Sequence, residues 1–463
     1  MKILLVNKFL YPNGGSETYL FGLGRSLAQL GHEVEYFGME HAGRIVGNRA
    51  EAYTSEMDFH GSSKLQKLSY PLKTIYSAEA RRKIRLVLDD FQPDVVHLNN
   101  FNYQLTPSIL LEIDAWRKKS GHPCRILYTA HDYNLLCPNH MLMNPVSGSL
   151  CEKCLGGHYT NCLRGKCIHG SSAQSLIGAV EGWYWRRRKV YRLIDCVICC
   201  SDFMKRKMDA DPIFRGRTVM MHNFLEMEAL GAPAASAAET SPAPAEPPAG
   251  PAGFPAAPDV PGEPGTPGAP ARYALYFGRL SDEKGFRTLL RAVKLLQGRL
   301  PDFRLIVAGT GPLQEELEKA IESAPIEYRG FLTGAALYDL IRGAVCSIYP
   351  SEWYENCPYS VMESQMLGTP VIASEIGGLP ELVRDERRPK DGSPANNPAG
   401  GRSSAADGGN GLLFTPGDAG ALADALEKLW TDDALLQKCR EGCAATRYDS
   451  AEAYCGKLLK LYR

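Results

Sequence analysis

Short apolar runs of strand length, each followed by a turn and a helix-length stretch, recur on both sides of a long segment too poor in apolar residues to build a core. In the first half the runs are Ile3–Val6, Val34–Phe37, Val95–Leu98, Arg125–Thr129 and Cys196–Cys200. In the second they are Tyr273–Phe277, Arg304–Ala308, Glu327–Tyr328, Val345–Tyr349, Val371–Ala373 and Leu412–Phe414. Helical stretches such as Thr18–Leu30, Phe286–Gln297, Leu313–Ser323 and Ala335–Arg342 lie between them. Strands that are apolar along their whole length are buried on both faces, and alternation with helices makes them parallel. The pattern predicts an α/β protein of two Rossmann-like domains. Ligands of open parallel sheets sit beyond the carboxyl ends of the strands, so the expected site is a cleft between the domains.

The predicted layout is an N-terminal domain over 1–230 with a Cys-rich loop near 137–169, a linker or insertion over 231–270, a second domain over 271–449 and a last helix over 450–463. Gly231–Pro270 is dominated by Ala, Pro, Gly and Glu, and Arg384–Asn410 by polar residues, Gly and Pro. Neither can bury enough apolar area to offset chain entropy, so both read as disordered insertions. Lys+Arg and Asp+Glu are equal at 52 each, which argues against a nucleic-acid partner. Met1–Phe9 reads as a buried first strand rather than a signal peptide, and no apolar run approaches the ~18 residues of a spanning helix. The expectation is a cytoplasmic protein whose 14 cysteines are reduced.

Two loops carry the strongest chemical signals. After the strand Val345–Tyr349 comes Pro350-Ser-Glu-Trp-Tyr-Glu355-Asn-Cys-Pro-Tyr-Ser-Val-Met-Glu363, leading into a helix. A helix start offers free N–H groups and a positive dipole end to a phosphate or a sugar hydroxyl. Two carboxylates there can grip hydroxyls of a donor; taken alone they are equally two solvated acids. After Tyr273–Phe277 comes Gly278-Arg279-Leu-Ser-Asp-Glu-Lys284-Gly285. Fixed cations in such a loop suit a diphosphate whose charge grows as a bond to it breaks, and a solvated charged loop is the alternative.

These residues resemble retaining glycosyltransferase family 4, a GT-B-fold group, over most of the chain except the two low-complexity segments. The most specific element is the pair Glu355 and Glu363 with seven residues between them. The resemblance implies transfer of a sugar from a nucleotide diphosphate sugar, a UDP-sugar favoured and GDP-mannose the other candidate, to a glycan or lipid-linked acceptor, with no cofactor required for catalysis. It implies that Glu363 binds the ribose, that Glu355 contacts the donor sugar, and that Arg279 and Lys284 hold the diphosphate. It further implies that Gly14 and Gly15, in the turn after the first strand, face the donor phosphate or the acceptor. His131, in Tyr128-Thr-Ala-His131-Asp132, would touch the donor sugar. Gly311 and Leu332 would shape the base pocket, and the last helix would return to the N-terminal domain. A nucleotide-sugar 2-epimerase or a non-catalytic nucleotide-sugar-binding protein on the same fold remains the alternative.

Three further features stand outside that resemblance. Cys151, Cys154, Cys162 and Cys167 have the ligand type and count of a structural zinc site, with unligated loop cysteines the equal alternative. Trp183-Tyr-Trp185-Arg-Arg-Arg188-Lys189-Val-Tyr-Arg192 sets aromatics beside cations, which suits peripheral contact with the inner face of a membrane unless the aromatics are core. Asp209-Ala-Asp211 has the letters of a cation-binding pair but reads as a polar turn.

Overall fold

A computed structural model describes residues 1–56, 73–226, 272–387 and 408–463. The linker expected at 231–270 lies outside the described residues, as does most of the insertion expected at 384–410. The chain divides into two compact units, Met1–Phe224 with Asp449–Arg463, and Leu225–Tyr448.

The first unit holds strands β1 (Lys2–Val6), β2 (Glu33–Phe37), β3 (Val95–Leu98), β4 (Arg125–Ala130), the short pair β5 (Met143–Asn144) and β6 (Ser149–Leu150), β7 (Cys196–Cys199) and β8 (Thr218–Met220). Six of them form a sheet in the order β2-β1-β3-β4-β7-β8, parallel throughout, and β5–β6 is a separate antiparallel hairpin. Strands β3 and β7 are buried at every position, as their unbroken apolar runs require. The last helix, Ala451–Tyr462, belongs to this unit and starts at Ser450, whose side chain accepts from the Ala453 N–H. Its buried Tyr454 hydroxyl lies 2.9 Å from that of Tyr19, and Tyr462 lies 2.6 Å from His97 Nδ1. His97 Nε2 is 2.7 Å from the Thr129 hydroxyl. Burial pushes the His97 pKa down to about 3, so its ring is a neutral hydrogen-bonding strut across the sheet.

The second unit holds β9 (Ala274–Phe277), β10 (Leu305–Ala308), β11 (Ile326–Tyr328), β12 (Cys346–Tyr349), β13 (Val371–Ser374) and β14 (Gly411–Phe414). They form one parallel sheet ordered β11-β10-β9-β12-β13-β14. Strand order therefore reverses between β9 and β12, the switch point at which doubly wound sheets open a crevice at their carboxyl edge. Helix Phe286–Leu296 turns Phe286, Leu289, Val293 and Leu296 into the core, where they pack with Leu305, Val307 and Ile348. Burying each such side chain is worth about 1.5–3 kcal/mol.

The alternation of strands and helices thus gives the expected two α/β units. Three details differ from the sequence reading. Strand β8 and the β5–β6 hairpin escape notice because they are only two or three residues long. The expected insertion also begins too early. Asp385 bridges Gly411 in parallel, and the Leu413 N–H donates to Asp385 Oδ2 at 3.0 Å. Asn410 is buried, its amide donating to the Leu382 carbonyl and Thr446 Oγ1 at 3.1 Å each. The polar composition of this stretch suggests no core, but its flanks serve as hydrogen-bonding frame.

Candidate active site

At the carboxyl edge of the second sheet, the loop after β9 and the loop after β12 are locked to one another. Gly285 has φ 68°, a left-handed conformation that costs a side chain strain, and a Cβ there would overlap the Pro350 carbonyl oxygen. The Glu352 N–H donates to the Glu283 carbonyl at 2.9 Å, and the Thr288 hydroxyl to Glu352 Oε1 at 2.6 Å. Gly285→Ala is accordingly expected to destabilise the protein by at least about 2 kcal/mol and to weaken nucleotide binding, read by thermal melting and calorimetric titration. Loops after β9 and β10 are stitched as well. The Leu280 N–H donates to the Thr310 carbonyl and the Leu313 N–H to the Leu280 carbonyl, each at 3.0 Å, and Gly311 lies flat against that carbonyl.

This framework brings Lys284 and Glu355 together. Lys284 Nζ donates to Glu355 Oε1 at 2.6 Å, and Ser351 Oγ donates to the same oxygen at 2.8 Å. Burial would raise the Glu355 pKa, but the Lys284 charge and these hydrogen bonds outweigh it and hold the carboxyl below its ordinary range. The turn beneath is fixed by Gly378, whose N–H donates to the Glu355 carbonyl at 2.7 Å. Lys284 also lies 5.0 Å above the Trp353 ring.

Arg279 and Glu363 are different. The Arg279 side chain is exposed and has no hydrogen bond or ion pair among the described residues, while its carbonyl accepts from the Tyr276 hydroxyl at 2.7 Å. Glu363, on the helix Tyr359–Met366, is half-buried and likewise without such a partner among the described residues. Desolvation alone raises its pKa to about 7. The helix begins at Pro358 with no side-chain cap, so its first N–H groups are not taken up by a capping side chain. Leu332 follows β11 and is half-buried. An anion-accepting edge results: a free guanidinium, a neutralised Lys–Glu pair, a carboxyl poised between its two states, and an uncapped helix start.

In the first unit, the carboxyl edge gathers polar groups that sequence reasoning missed. Asn7, directly after β1, donates through Nδ2 to Glu17 Oε1 at 2.9 Å and accepts from the Asn100 N–H at 3.0 Å. Asn100 Nδ2 donates to Ser16 Oγ at 2.9 Å. Glu17 is buried, and burial raises its pKa despite hydrogen bonds from Asn7 and Ser16. A signal was present: buried Asn7 and Asn99 sit directly after apolar strands, where a polar residue needs a purpose. Gly14 has φ 175°, an extended conformation open to any residue, and a Cβ there would meet Glu17 Oε2 at an ordinary 3.6 Å. Gly15 opens the helix Gly15–Gln29. His131, after β4, donates from Nε2 to Asn99 Oδ1 at 2.9 Å and packs edge-on to Tyr19. Burial lowers its pKa to about 4, leaving it neutral at physiological pH.

The remaining candidates fare unevenly. Cys154, Cys162 and Cys167 pack with Tyr159 and Ala179 in a small apolar cluster that does not include Cys151. Among the described residues no group of three or more His, Cys, Asp or Glu is placed to hold a metal ion. Burial pushes the Cys162 thiol up to about 12. Asp209 accepts from Lys205 Nζ at 2.6 Å, and buried Asp211 takes both arms of Arg186 at 2.6 and 3.3 Å. Both carboxylates are committed to structure. The aromatic–cationic run is split: Trp185 is fully buried and stacks on Tyr76, whereas Trp183 is exposed. Among the described residues no helix is long and apolar enough to cross a membrane.

Comparison with known proteins agrees with this architecture. Residues 13–229 match the model described as Glycosyltransferase Family 4, and residues 271–432 the model described as Glycosyl transferases group 1. An uncharacterized 42.6 kDa protein in the cps region of Klebsiella pneumoniae is 21% identical over 83% of this chain and 88% of its own. Matches to the next three curated relatives span only 26%, 45% and 38% of their length. Among solved structures, sucrose-phosphate synthase from Thermosynechococcus elongatus superposes with TM-score 0.61 at 19% identity, covering 100% of this chain and 98% of that one. HepE of Anabaena, solved with UDP and glucose, gives 0.58 at 16% identity and covers 100% and 99%. The fold is that of the GT-B glycosyltransferases. The two matched models assign the chain a family 4 glycosyltransferase domain followed by a group 1 glycosyltransferase domain.

Proposed function

We propose that this chain transfers a glycosyl group from a nucleotide diphosphate sugar to a hydroxyl of a glycan or lipid-linked acceptor, with retention of configuration, in the making of a cell-surface polysaccharide. The observation that carries this reading is the Lys284–Glu355 pair at the β9/β12 switch point, flanked by Arg279 and Glu363, neither of which has a hydrogen-bond or ion-pair partner among the described residues. Arg279 and Lys284 stabilise the charge that grows on the departing diphosphate. Glu355 accepts from hydroxyls of the transferred sugar, Glu363 from those of the ribose, and Gly311 and Leu332 flank the base. His131, neutral and oriented by Asn99, helps position the sugar. As the glycosidic C–O bond breaks, the acceptor oxygen bonds to the same face of the anomeric carbon. Its proton passes to the leaving phosphate oxygen, so no protein carboxylate need act as nucleophile. A UDP-sugar is favoured because the structural neighbour HepE binds UDP and glucose.

The test is incubation with UDP-sugars and GDP-mannose, with and without lipid-linked hydroxyl acceptors, read by mass spectrometry and by the anomeric coupling constant of the product. A retained glycoside is expected, with Arg279→Ala reducing turnover on the order of 10²-fold. An epimerised sugar formed without acceptor would replace this reading with that of an epimerase, and no turnover of any donor despite binding would make it a binding protein.

A further inference from the structure

The helix Ser172–Arg187 turns small residues and Trp185 inward, with Ser175, Gly178, Ala179 and Gly182 buried. At 100° per residue, Leu176, Val180, Trp183 and Arg187 fall within a narrow stripe on the opposite side. The three apolar members are 49%, 43% and 58% exposed. Val146 and Leu150, on the nearby β5–β6 hairpin, are also exposed, and Val146 borders Gly170 just ahead of the helix. Five large apolar side chains exposed along one stretch of the first unit exceed the scattered hydrophobics of a typical surface.

Charge selects the occupant. Arg187, Arg188 and Lys189 continue directly from the apolar stripe and are exposed, and Lys153, Arg164 and Lys166 are exposed in the segment ahead of the helix. Arg187 lies 5.8 Å over the Trp183 ring, and Arg188 5.0 Å over Tyr184. The helix has a single acid, Glu181, which lies well off the stripe and is half-buried. Apolar side chains flanked by cations that can extend their charged ends outward fit an anionic bilayer surface better than a neutral protein partner.

We propose that Val146, Leu176, Val180, Trp183, Arg187 and Arg188 dock the first unit on an anionic lipid bilayer. The helix lies in the interface plane, its apolar stripe among the acyl chains and its guanidinium groups on the phosphates. Docking deepens the proposed reading by bringing the enzyme to a bilayer-borne acceptor, and it is measurable without any donor.

Full-length protein is sedimented with vesicles of phosphatidylcholine, with and without phosphatidylglycerol. Binding is expected only to the phosphatidylglycerol vesicles and weakens with salt. Arg187→Ala with Arg188→Ala lowers vesicle affinity roughly thirtyfold, at ~1 kcal/mol for each charge. Trp183→Ser lowers it about tenfold, and Leu176→Gln with Val180→Gln acts in the same direction should Trp183→Ser fold poorly. Calorimetric nucleotide-sugar binding stays at the parent's value in all these variants, so failure of docking is distinguishable from failure of the donor assignment. Equal binding of parent and variants, or no binding to phosphatidylglycerol, overturns the proposal. So does a change from dimer to monomer on Trp183→Ser, which would make the stripe a contact between copies.

Discussion

Lys284→Met is expected to lose both activity and stability, because one ammonium group serves two purposes. Glu355 is only 6% exposed and shares a 2.6 Å hydrogen bond with Lys284. Removing the cation leaves a buried carboxylate that the Ser351 hydroxyl still reaches but no charge balances. Loss of one partner from a fully buried pair costs about 3–5 kcal/mol. Because the Lys284 side chain is 29% exposed, solvent screening reduces this to about 2 kcal/mol, several degrees in the melting midpoint. Turnover should fall on the order of 10²–10³-fold as the leaving diphosphate loses a fixed charge. The double change Lys284→Met with Glu355→Gln separates the two purposes. It removes the unpaired charge, so most of the stability should return while turnover stays low. A Lys284→Met protein that melts and turns over like the parent would remove this site from the reaction.

Donor binding should depend on pH through Glu363. Its pKa in the free protein is raised to about 7 by desolvation, so it is mostly neutral at pH 6 and mostly ionised at pH 8. Two ribose hydroxyls donate best to a carboxylate, so the bound form favours the ionised state. Affinity is therefore fully present above about pH 8 and falls as pH drops through about 7, by roughly tenfold for each unit below it. The esterified diphosphate of a nucleotide sugar contributes no titration in that range. Titration calorimetry from pH 8 to pH 5.5 reads the slope, and release of protons into buffers of different ionisation enthalpy reads the linkage. Glu363→Gln should weaken binding at pH 8 by on the order of tenfold or more and flatten the profile. A parent profile already flat over this range would rule out ribose binding by Glu363.

Both predictions rest on residues legible in the sequence, but only up to a point. Apolar runs such as Val95–Leu98 and Val371–Ser374 mark buried parallel strands with little ambiguity. Loops directly after them are then the places to seek chemistry, which is how Arg279, Lys284 and Glu355 stand out. Their pairing was not legible. Lys284 and Glu355 lie 71 residues apart and meet because Gly285 lets one loop press on the other. Composition likewise cannot tell Trp183 from Trp185, since two positions along a helix turn a side chain to the other side. The cysteines were the hardest case. Spacing leaves metal ligands and unligated loop thiols equally open, and three of the four cysteines lie in a small buried cluster with Tyr159.

The strut from His97 to Tyr462 has a consequence for how the chain matures. During synthesis, residues Met1–Phe224 emerge well before the helix that covers Tyr19 and His97 has been made. Until then His97 Nδ1 lacks the Tyr462 hydroxyl, the Tyr19 hydroxyl keeps Thr129 but lacks Tyr454, and the apolar faces awaiting Leu458 and Tyr462 stay open. The intervening unit has all of its described strands in hand by Phe414 and can close first. The segment that leaves the ribosome earliest is thus the one completed last, and its nascent form is the species most in need of a chaperone.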